Sequence, residues 1–199
     1  MKVLLAEDKA AIRESFSVML RMQKDMEVTA VRTGREALAY AWTQKPDIAL
    51  LDIRMPDVTG LDVLKDLKES VPECRCIMLT TFAMPNYVLE AYEDGAWAFL
   101  QKDASFKTIL DTVRRVNAGE RVFDQSLLEH AQQAGANPLS KKEADILRTT
   151  AQYGSTSEVA KQLHMSKGTI DNYFSTIMAK LNVTSRIQAY YTAQRNGWL

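Results

Sequence analysis

The sequence predicts two modules: a doubly wound α/β domain with a five-stranded parallel sheet over residues 1–118, and an all-α domain of four helices over 139–199. A linker over 119–138 would join them. Three observations predict this. Five short apolar runs alternate with stretches of helical periodicity through the first 120 residues. The alternation stops after Gly119, and everything beyond Leu139 is helical in pattern. The charge balance also reverses, from 16 Lys+Arg against 19 Asp+Glu in residues 1–120 to 8 against 4 in 138–199. An acidic front and a basic tail suggest modules with different partners.

The apolar runs are Val3–Ala6, Val28–Val31, Ile48–Leu51, Ile77–Leu79 and Ala98–Leu100. Being continuously apolar, they read as strands buried on both faces, as parallel sheets require. Between them, Ile12, Phe16, Met19 and Leu20 line one face of a helix over 9–23. Phe106, Ile109, Leu110 and Val113 do the same over 105–118. Gly34, Gly60, Gly95 and Gly119 punctuate the alternation, and Pro85 suits a helix start. Residues 121–138 carry a short amphipathic piece (Leu127, Leu128, Ala131) and end in Gly135-Ala136-Asn137-Pro138, a linker composition. Ser140-x-x-Glu143 and Ser155-x-x-Glu158 have capping-box spacing. Helices follow over about 140–152, 156–163, 167–181 and 185–195.

With 199 residues, 46% of them hydrophobic and 25% charged, the chain has enough apolar material for a core. A secretory signal needs an apolar run of about 7–15 residues and a membrane span about 20. Neither occurs, which predicts a cytoplasmic protein without a membrane partner. Cys74 and Cys76 are too close for an easy disulfide and too few for a structural zinc site. They read as small residues packed around a strand.

Functional groups of an open parallel sheet gather at the carboxyl ends of its strands. Here those ends carry Glu7 and Asp8, then Asp52, then Thr80 and Thr81, then Lys102. Singly, Asp8 reads equally as a helix cap, Asp52 as a solvated turn residue, Thr80 as a helix start and Lys102 as a surface group. Jointly, three carboxylates, a hydroxyl and an ammonium on one rim make a coherent chemistry. Clustered carboxylates favour a hard divalent cation. An aspartate among them can attack a phosphoryl group, and the added charge would be met by the cation, Lys102 and the Thr80 hydroxyl.

Glu7-Asp8, Asp52 in LLDIRMPDVTG, Thr80 in LTTFA and Lys102 in AFLQKD resemble the receiver domain of bacterial two-component response regulators, a flavodoxin-like fold. Gly95-Ala96 and Met55-Pro56 fit the same pattern. The resemblance implies that Asp52 accepts phosphate from a sensor histidine kinase, and that Glu7, Asp8, Asp52 and the Arg54 backbone carbonyl hold Mg²⁺ (or Mn²⁺). Thr80 and Phe99 would be the switch pair, Thr80 moving toward the phosphate as the ring turns inward. Such a protein is a phosphoacceptor with at most slow self-dephosphorylation, not an enzyme in the usual sense. Asp103 follows Lys102 where many receivers have a cis-proline, so no cis bond is expected. A phosphatase with an aspartate nucleophile would want an acid at position 54, which is arginine. An orphan regulator acting through protein interaction without phosphorylation is the alternative, and a complete acidic pocket argues against it.

In the tail, Ile170, Phe174, Ile177, Met178 and Leu181 form one apolar stripe over 167–181, opposite Lys167, Asp171, Asn172, Ser175 and Thr176. Helix, tight turn at His164-Met165-Ser166, then helix with a polar outer face is a helix-turn-helix arrangement. LSKKEADIL and STSEVAKQLHMSKGTIDNYFSTIMAKLNVTSRIQA resemble the LuxR/NarL-type DNA-binding domain, with Glu143, Ala160, Leu163, Ser166, Thr169-Ile170, Lys180-Leu181 and Arg186 as landmarks. The whole chain is therefore similar to a NarL/FixJ-type response regulator. That implies promoter DNA as partner and a homodimer formed on phosphorylation. Rearrangement of Thr80 and Phe99 would alter the faces of the helices over 84–93 and 105–118. Lys142, Lys167, Lys180 and Arg186 are expected to contact phosphates. Ser166, Thr169, Asp171, Asn172 and Ser175 complete the expected DNA-binding set. Asp171 and Asn172 stand where relatives often carry a basic residue. Asp171 reads either as a reader of a cytosine amino group or as an intramolecular partner for Lys167.

Overall fold

We describe a computed structural model, which covers residues 1–134 and 137–199. Its elements are β1 (Lys2–Ala6), α1 (Ala10–Arg21), β2 (Glu27–Val31), α2 (Gly34–Gln44), β3 (Ile48–Asp52), α3 (Gly60–Ser70), β4 (Arg75–Thr80), α4 (Pro85–Glu93), β5 (Ala98–Gln101) and α5 (Phe106–Asn117). Then follow α6 (Gln125–Ala134), α7 (Lys141–Tyr153), α8 (Thr156–Gln162), α9 (Lys167–Leu181) and α10 (Arg186–Arg195). The chain separates into two compact units. The first spans Met1–Ala83 and Tyr87–Glu129, and the second includes His130–Leu199.

The first unit is an all-parallel sheet of order β2-β1-β3-β4-β5. Phe16 and Leu20 of α1 and Ile109, Val113 and Val116 of α5 pack on Val3, Leu5, Ile48, Leu50, Ile77 and Leu79. Residues of opposite parity, Leu4, Ala49 and Leu51, are equally buried toward α2 and α3, whose Ala37, Ala41, Leu64 and Leu67 are closed to solvent. Burial on both faces accounts for the unbroken apolar runs. β2 departs from that expectation. Its residues are exposed or half-buried, because it is an edge strand with a neighbour on one side only. Cys74 and Cys76 are buried, unbridged thiols at the start of β4.

Two glycines fix how the β3–α3 loop lies. A Cβ on Gly60 would stand 2.2 Å from the Asp52 carbonyl oxygen, and one on Gly34 2.3 Å from the Val58 carbonyl oxygen. The loop after Asp52 is thereby pressed onto the start of α2 on one side and onto β3 on the other.

The stretch expected as linker carries more structure than its composition suggests. Val122 donates to Trp97 O at 2.7 Å and bridges Ala98. Arg121 donates to Ala96 O and Tyr92 O and lies over the Tyr92 and Phe123 rings. α6 follows, with Leu128 and Ala131 buried. Of the expected linker tetrapeptide, Gly135 and Ala136 lie outside the described residues, and Asn137 accepts from Leu139 N.

The second unit packs α7 to α10 around Ile146, Leu147, Val159, Ile170, Phe174, Ile177, Ala189 and Ala193. Ser140, Ser155, Ser166 and Ser185 each accept a hydrogen bond from the backbone three residues on, capping the four helices. The reciprocal capping box is complete at Ser140 and Glu143. At Ser155 the recorded cap is the serine half. Gly154 ends α7 with a positive φ, and His164 occupies the left-handed turn after α8, the turn role expected of it. No cis peptide bond occurs among the described residues.

Two glycine substitutions should have opposite signs in urea unfolding. Gly34→Ala should destabilise by roughly 1–3 kcal/mol, the usual cost of overpacking, despite alanine's better helix propensity. Gly168→Ala, where a Cβ meets nothing closer than Ser166 Oγ at 3.9 Å, should stabilise by about 0.5–1 kcal/mol.

Candidate functional site

β1 and β3 are neighbours, and the strand order reverses between them, the switch point of an open sheet. Their register pairs Ala6 with Leu51, so the next residues, Glu7 and Asp52, stand side by side at the carboxyl edge. Glu7 is 0% exposed and Asp52 3%. From the end of β5, the Lys102 ammonium reaches both, 2.6 Å from Glu7 Oε2 and 2.8 Å from Asp52 Oδ1, with its side chain only 6% exposed. The ammonium is thus the partner of both buried acids. Asp8 Oδ1 is buried and has no hydrogen-bond partner among the described residues. Asp8 does not cap α1, whose N-cap is Lys9 with no side-chain bond. The bland readings of Asp8, Asp52 and Lys102 as cap, solvated turn and surface group therefore fail.

Burial pushes the carboxyl groups of both Glu7 and Asp52 above their ordinary range, and each acid raises another (Asp52 acts on Glu7, Asp8 on Asp52). Lys102 opposes the shift in each case. Glu7, Asp8 and Asp52 each bring one oxygen within 4.8 Å of the others. Hard oxygen donors in excess of the one ammonium, with Asp8 Oδ1 buried and unpartnered among the described residues, suit a hard divalent cation.

Several groups hold this edge together that sequence reasoning missed. Arg13 of α1 donates from Nη1 to Glu7 O at 2.8 Å and Asp8 O at 3.1 Å. Arg54 N donates to Asp52 Oδ1 at 3.3 Å. Asp57, in the same loop, accepts from Gly34 N and Arg35 N at the start of α2. Desolvation works to raise the Asp57 carboxyl, but the backbone N–H groups of Val58, Arg35, Gly34 and Asp57 outweigh it and hold it at about 2. No local spacing signals these contacts, since Gly34 lies 23 residues before Asp57.

Thr80 ends β4 rather than starting a helix. Its hydroxyl donates to Phe82 O at 3.0 Å and accepts from Phe82 N. Phe99, paired with Met78 in register, is already buried.

In the second unit, Lys167, Thr169, Asn172 and Ser175 are exposed on α9. The Ser166 hydroxyl is engaged as the cap of α9, and Ser175 Oγ donates to Asp171 O. Lys142 lies 5.7 Å from the centroid of the Tyr173 ring. Lys180 and Arg186 are tied inside the domain. Lys180 Nζ is 2.8 Å from Glu143 Oε2, and Glu143 is buried. Burial works to raise the Glu143 carboxyl, yet the bonds from Lys180 and Ser140 carry it below its ordinary value. Asp171 pairs with Arg186 at 2.8 Å, not with Lys167 one helical turn earlier.

A family model described as the response regulator receiver domain matches residues 3–114, and one described as bacterial regulatory proteins of the luxR family matches 137–193. The chain belongs to the response regulators. It is 34% identical over 197 residues to the transcriptional regulatory protein DesR of Bacillus subtilis (strain 168), covering 98% of each chain. It is 32% identical over 203 residues to the response regulator protein VraR of Staphylococcus aureus (strain Mu3 / ATCC 700698), covering 98% of this chain and 97% of that one. Among solved structures it resembles the response regulator ChrA of a heme-sensing two-component system, with a TM-score of 0.58 and 26% identity over 100% of this chain and 98% of that one. The RcsB–DNA complex shares the fold, with a TM-score of 0.62 and 19% identity over 98% of each chain. The chain is thus a response regulator with a receiver and a LuxR-type DNA-binding domain. Among the described residues, no helix is long and apolar enough to cross a membrane.

Asp57 gives the receiver a pH signature. Its folded-state value of about 2 lies below the ordinary 3.8, so its contribution is present above the ordinary value and fades as pH falls toward 2. Asp57→Ala should cost about 1 kcal/mol at pH 7, the usual worth of a helix cap. In urea titrations the gap from the wild type should narrow steadily as pH is lowered below about 4.

Proposed function

We propose that this response regulator accepts a phosphoryl group on Asp52 from a sensor histidine kinase, dimerises in response, and binds promoter DNA through α9 to regulate transcription. The observation that carries the reading is Lys102 held between Glu7 and Asp52 at 2.6 and 2.8 Å in a buried pocket, beside an unpartnered Asp8 oxygen. An ammonium so placed can hold a phosphoryl oxygen on Asp52 after transfer.

In the transfer, an Asp52 carboxylate oxygen forms a bond to phosphorus as the P–N bond of a phosphohistidine breaks. The electron pair leaves with the imidazole, which takes a proton from solvent. Glu7, Asp8, Asp52 and the Arg54 carbonyl would hold Mg²⁺ (or Mn²⁺), which supplies Lewis-acid neutralisation of the phosphoryl oxygens. Lys102, already desolvated, neutralises one charge without reorganising. The Thr80 hydroxyl, now bonded to Phe82, would turn to a phosphoryl oxygen, with Phe99 as its partner in the switch. The acyl phosphate then decays at most slowly by itself, so the chain serves as an acceptor and not as an enzyme.

On DNA, Lys142 and Lys167 would contact phosphates, while Thr169, Asn172 and Ser175 face the base edges and Ser166 fixes the start of the helix. Lys180, Arg186 and Asp171, engaged within the domain, would act first as its internal ties.

Intact mass after incubation with a small phosphodonor tests the reading. The wild type should gain one phosphoryl group with Mg²⁺ present and none without it, and Asp52→Ala should gain none. Sedimentation of the phosphorylated protein should show twice the monomer mass at micromolar concentration. Equal incorporation into Asp52→Ala would overturn Asp52 as the acceptor, and a wild type that never incorporates phosphate would favour a receiver that works by protein interaction alone.

A further inference from the structure

One guanidinium joins three helices of the DNA-binding domain. Arg186 opens α10. Its Nη2 pairs with Asp171 of α9 at 2.8 Å, its Nη1 donates to the Thr156 hydroxyl at the start of α8, and its Cζ lies 4.3 Å from the centroid of the buried Phe174 ring. The pair is partly solvated, with Arg186 41% and Asp171 44% exposed in their side chains. Asp171 is one residue before the exposed Asn172 and four before the exposed Ser175. A carboxylate on that face works against an approaching phosphate, and its partner is a cation that a phosphate would otherwise attract.

We propose that Asp171 is a specificity-determining residue that acts through Arg186, holding its guanidinium on Thr156 and Phe174 and withholding it from the phosphodiester backbone. This rests on α9 being the DNA-facing helix. Binding to DNA of arbitrary sequence comes mainly from phosphate neutralisation, and each neutralised phosphate adds about 0.9 to the slope of log K against log salt. Withholding one arginine lowers that sequence-independent component and leaves base contacts a larger share of the total. The preference that Asp171 confers therefore arises without its touching a base. An arginine in place of such a carboxylate pair would bind everything more tightly and discriminate less.

The test measures the affinity of the full-length chain for a mixed-sequence duplex over a range of salt concentrations. Asp171→Asn should steepen the slope by about 0.9, which at 0.1 M salt is roughly an eightfold gain in affinity. Adding Arg186→Ala to that variant should remove the gain. Arg186→Ala alone should leave the wild-type slope unchanged. A merely structural role for the pair would lower the unfolding midpoint and the affinity together without steepening the slope. In the native chain, the Arg186 Nε–Hε resonance should stay in place as the duplex is added, a readout that needs no variant. An unchanged slope in a folded Asp171→Asn, a shallower slope in Arg186→Ala, or a resonance that moves with the duplex would each overturn the proposal. A wild type showing no salt-dependent duplex binding would overturn the DNA-facing reading of α9 and this proposal with it.

Discussion

Two carboxylates taken out of water side by side are the constraint on which the receiver is built. Glu7 and Asp52 meet because β1 and β3 pair in a register that brings their ends level, and neither has appreciable access to solvent. Desolvation works against the ionisation of both, and a neighbouring acid adds to it, Asp52 for Glu7 and Asp8 for Asp52. Lys102 is the cation that meets them, and with Asp8 beside them the cluster keeps an excess of negative charge. Removing Lys102 would leave buried carboxylates without a counter-charge, which costs about 3–5 kcal/mol. The surrounding contacts read as fixtures for the cluster. Arg13 grips the carbonyls of Glu7 and Asp8, Gly60 lets α3 start against the Asp52 carbonyl, and Asp57 fastens the loop between them to α2. An incompletely neutralised, rigidly held set of oxygens is what a cation and a phosphoryl group can both exploit.

The second unit handles charge in the opposite way. Its buried or half-buried acids are matched one to one, Glu143 with Lys180, Asp145 with Arg148 and Asp171 with Arg186, and nothing comparable to the receiver's excess remains there among the described residues. The reason lies in size. About 60 residues without a sheet bury a smaller fraction of their surface than a larger domain does. α8 has only 7 residues, too few to be stable alone. Serine caps at four helix starts and cross-helix ties therefore carry a larger share of the stability than they would in the receiver.

The parts of this architecture that were legible in the sequence are those governed by local rules. Apolar runs revealed the five strands because the sheet is covered on both faces, and the rule about strand ends found Glu7, Asp8, Asp52 and Lys102 because it needs only the strands. β2 is more exposed than its apolar run predicts, because such a run does not say whether a strand is central or at an edge. The fixtures have no sequence pattern to announce them: Arg13 reaches main-chain carbonyls, to which side-chain spacing gives no clue, and Asp57 binds Gly34, 23 residues away. Asp171 shows the limit most sharply. Helical spacing offered Lys167 four residues earlier, worth a few tenths of a kcal/mol at best on an exposed helix. Packing brought Arg186, fifteen residues later, which also gains Thr156 and the Phe174 ring.

The same limit applies to the segment after α5, where composition suggested a linker. Backbone groups decide otherwise. The N–H of Val122 is spent on Trp97 O, and the Arg121 guanidinium on the carbonyls of Ala96 and Tyr92, acceptors at the edge strand β5 and the end of α4. Val122 bridges Ala98, the first residue of the strand that also bears Phe99 and leads to Lys102. A linker free to wander would leave those acceptors to water. Fastened here, Val122 is fixed relative to β5 within the first unit, which runs on to Glu129. The expected linker therefore holds a bridge at Val122 and a helix over Gln125–Ala134.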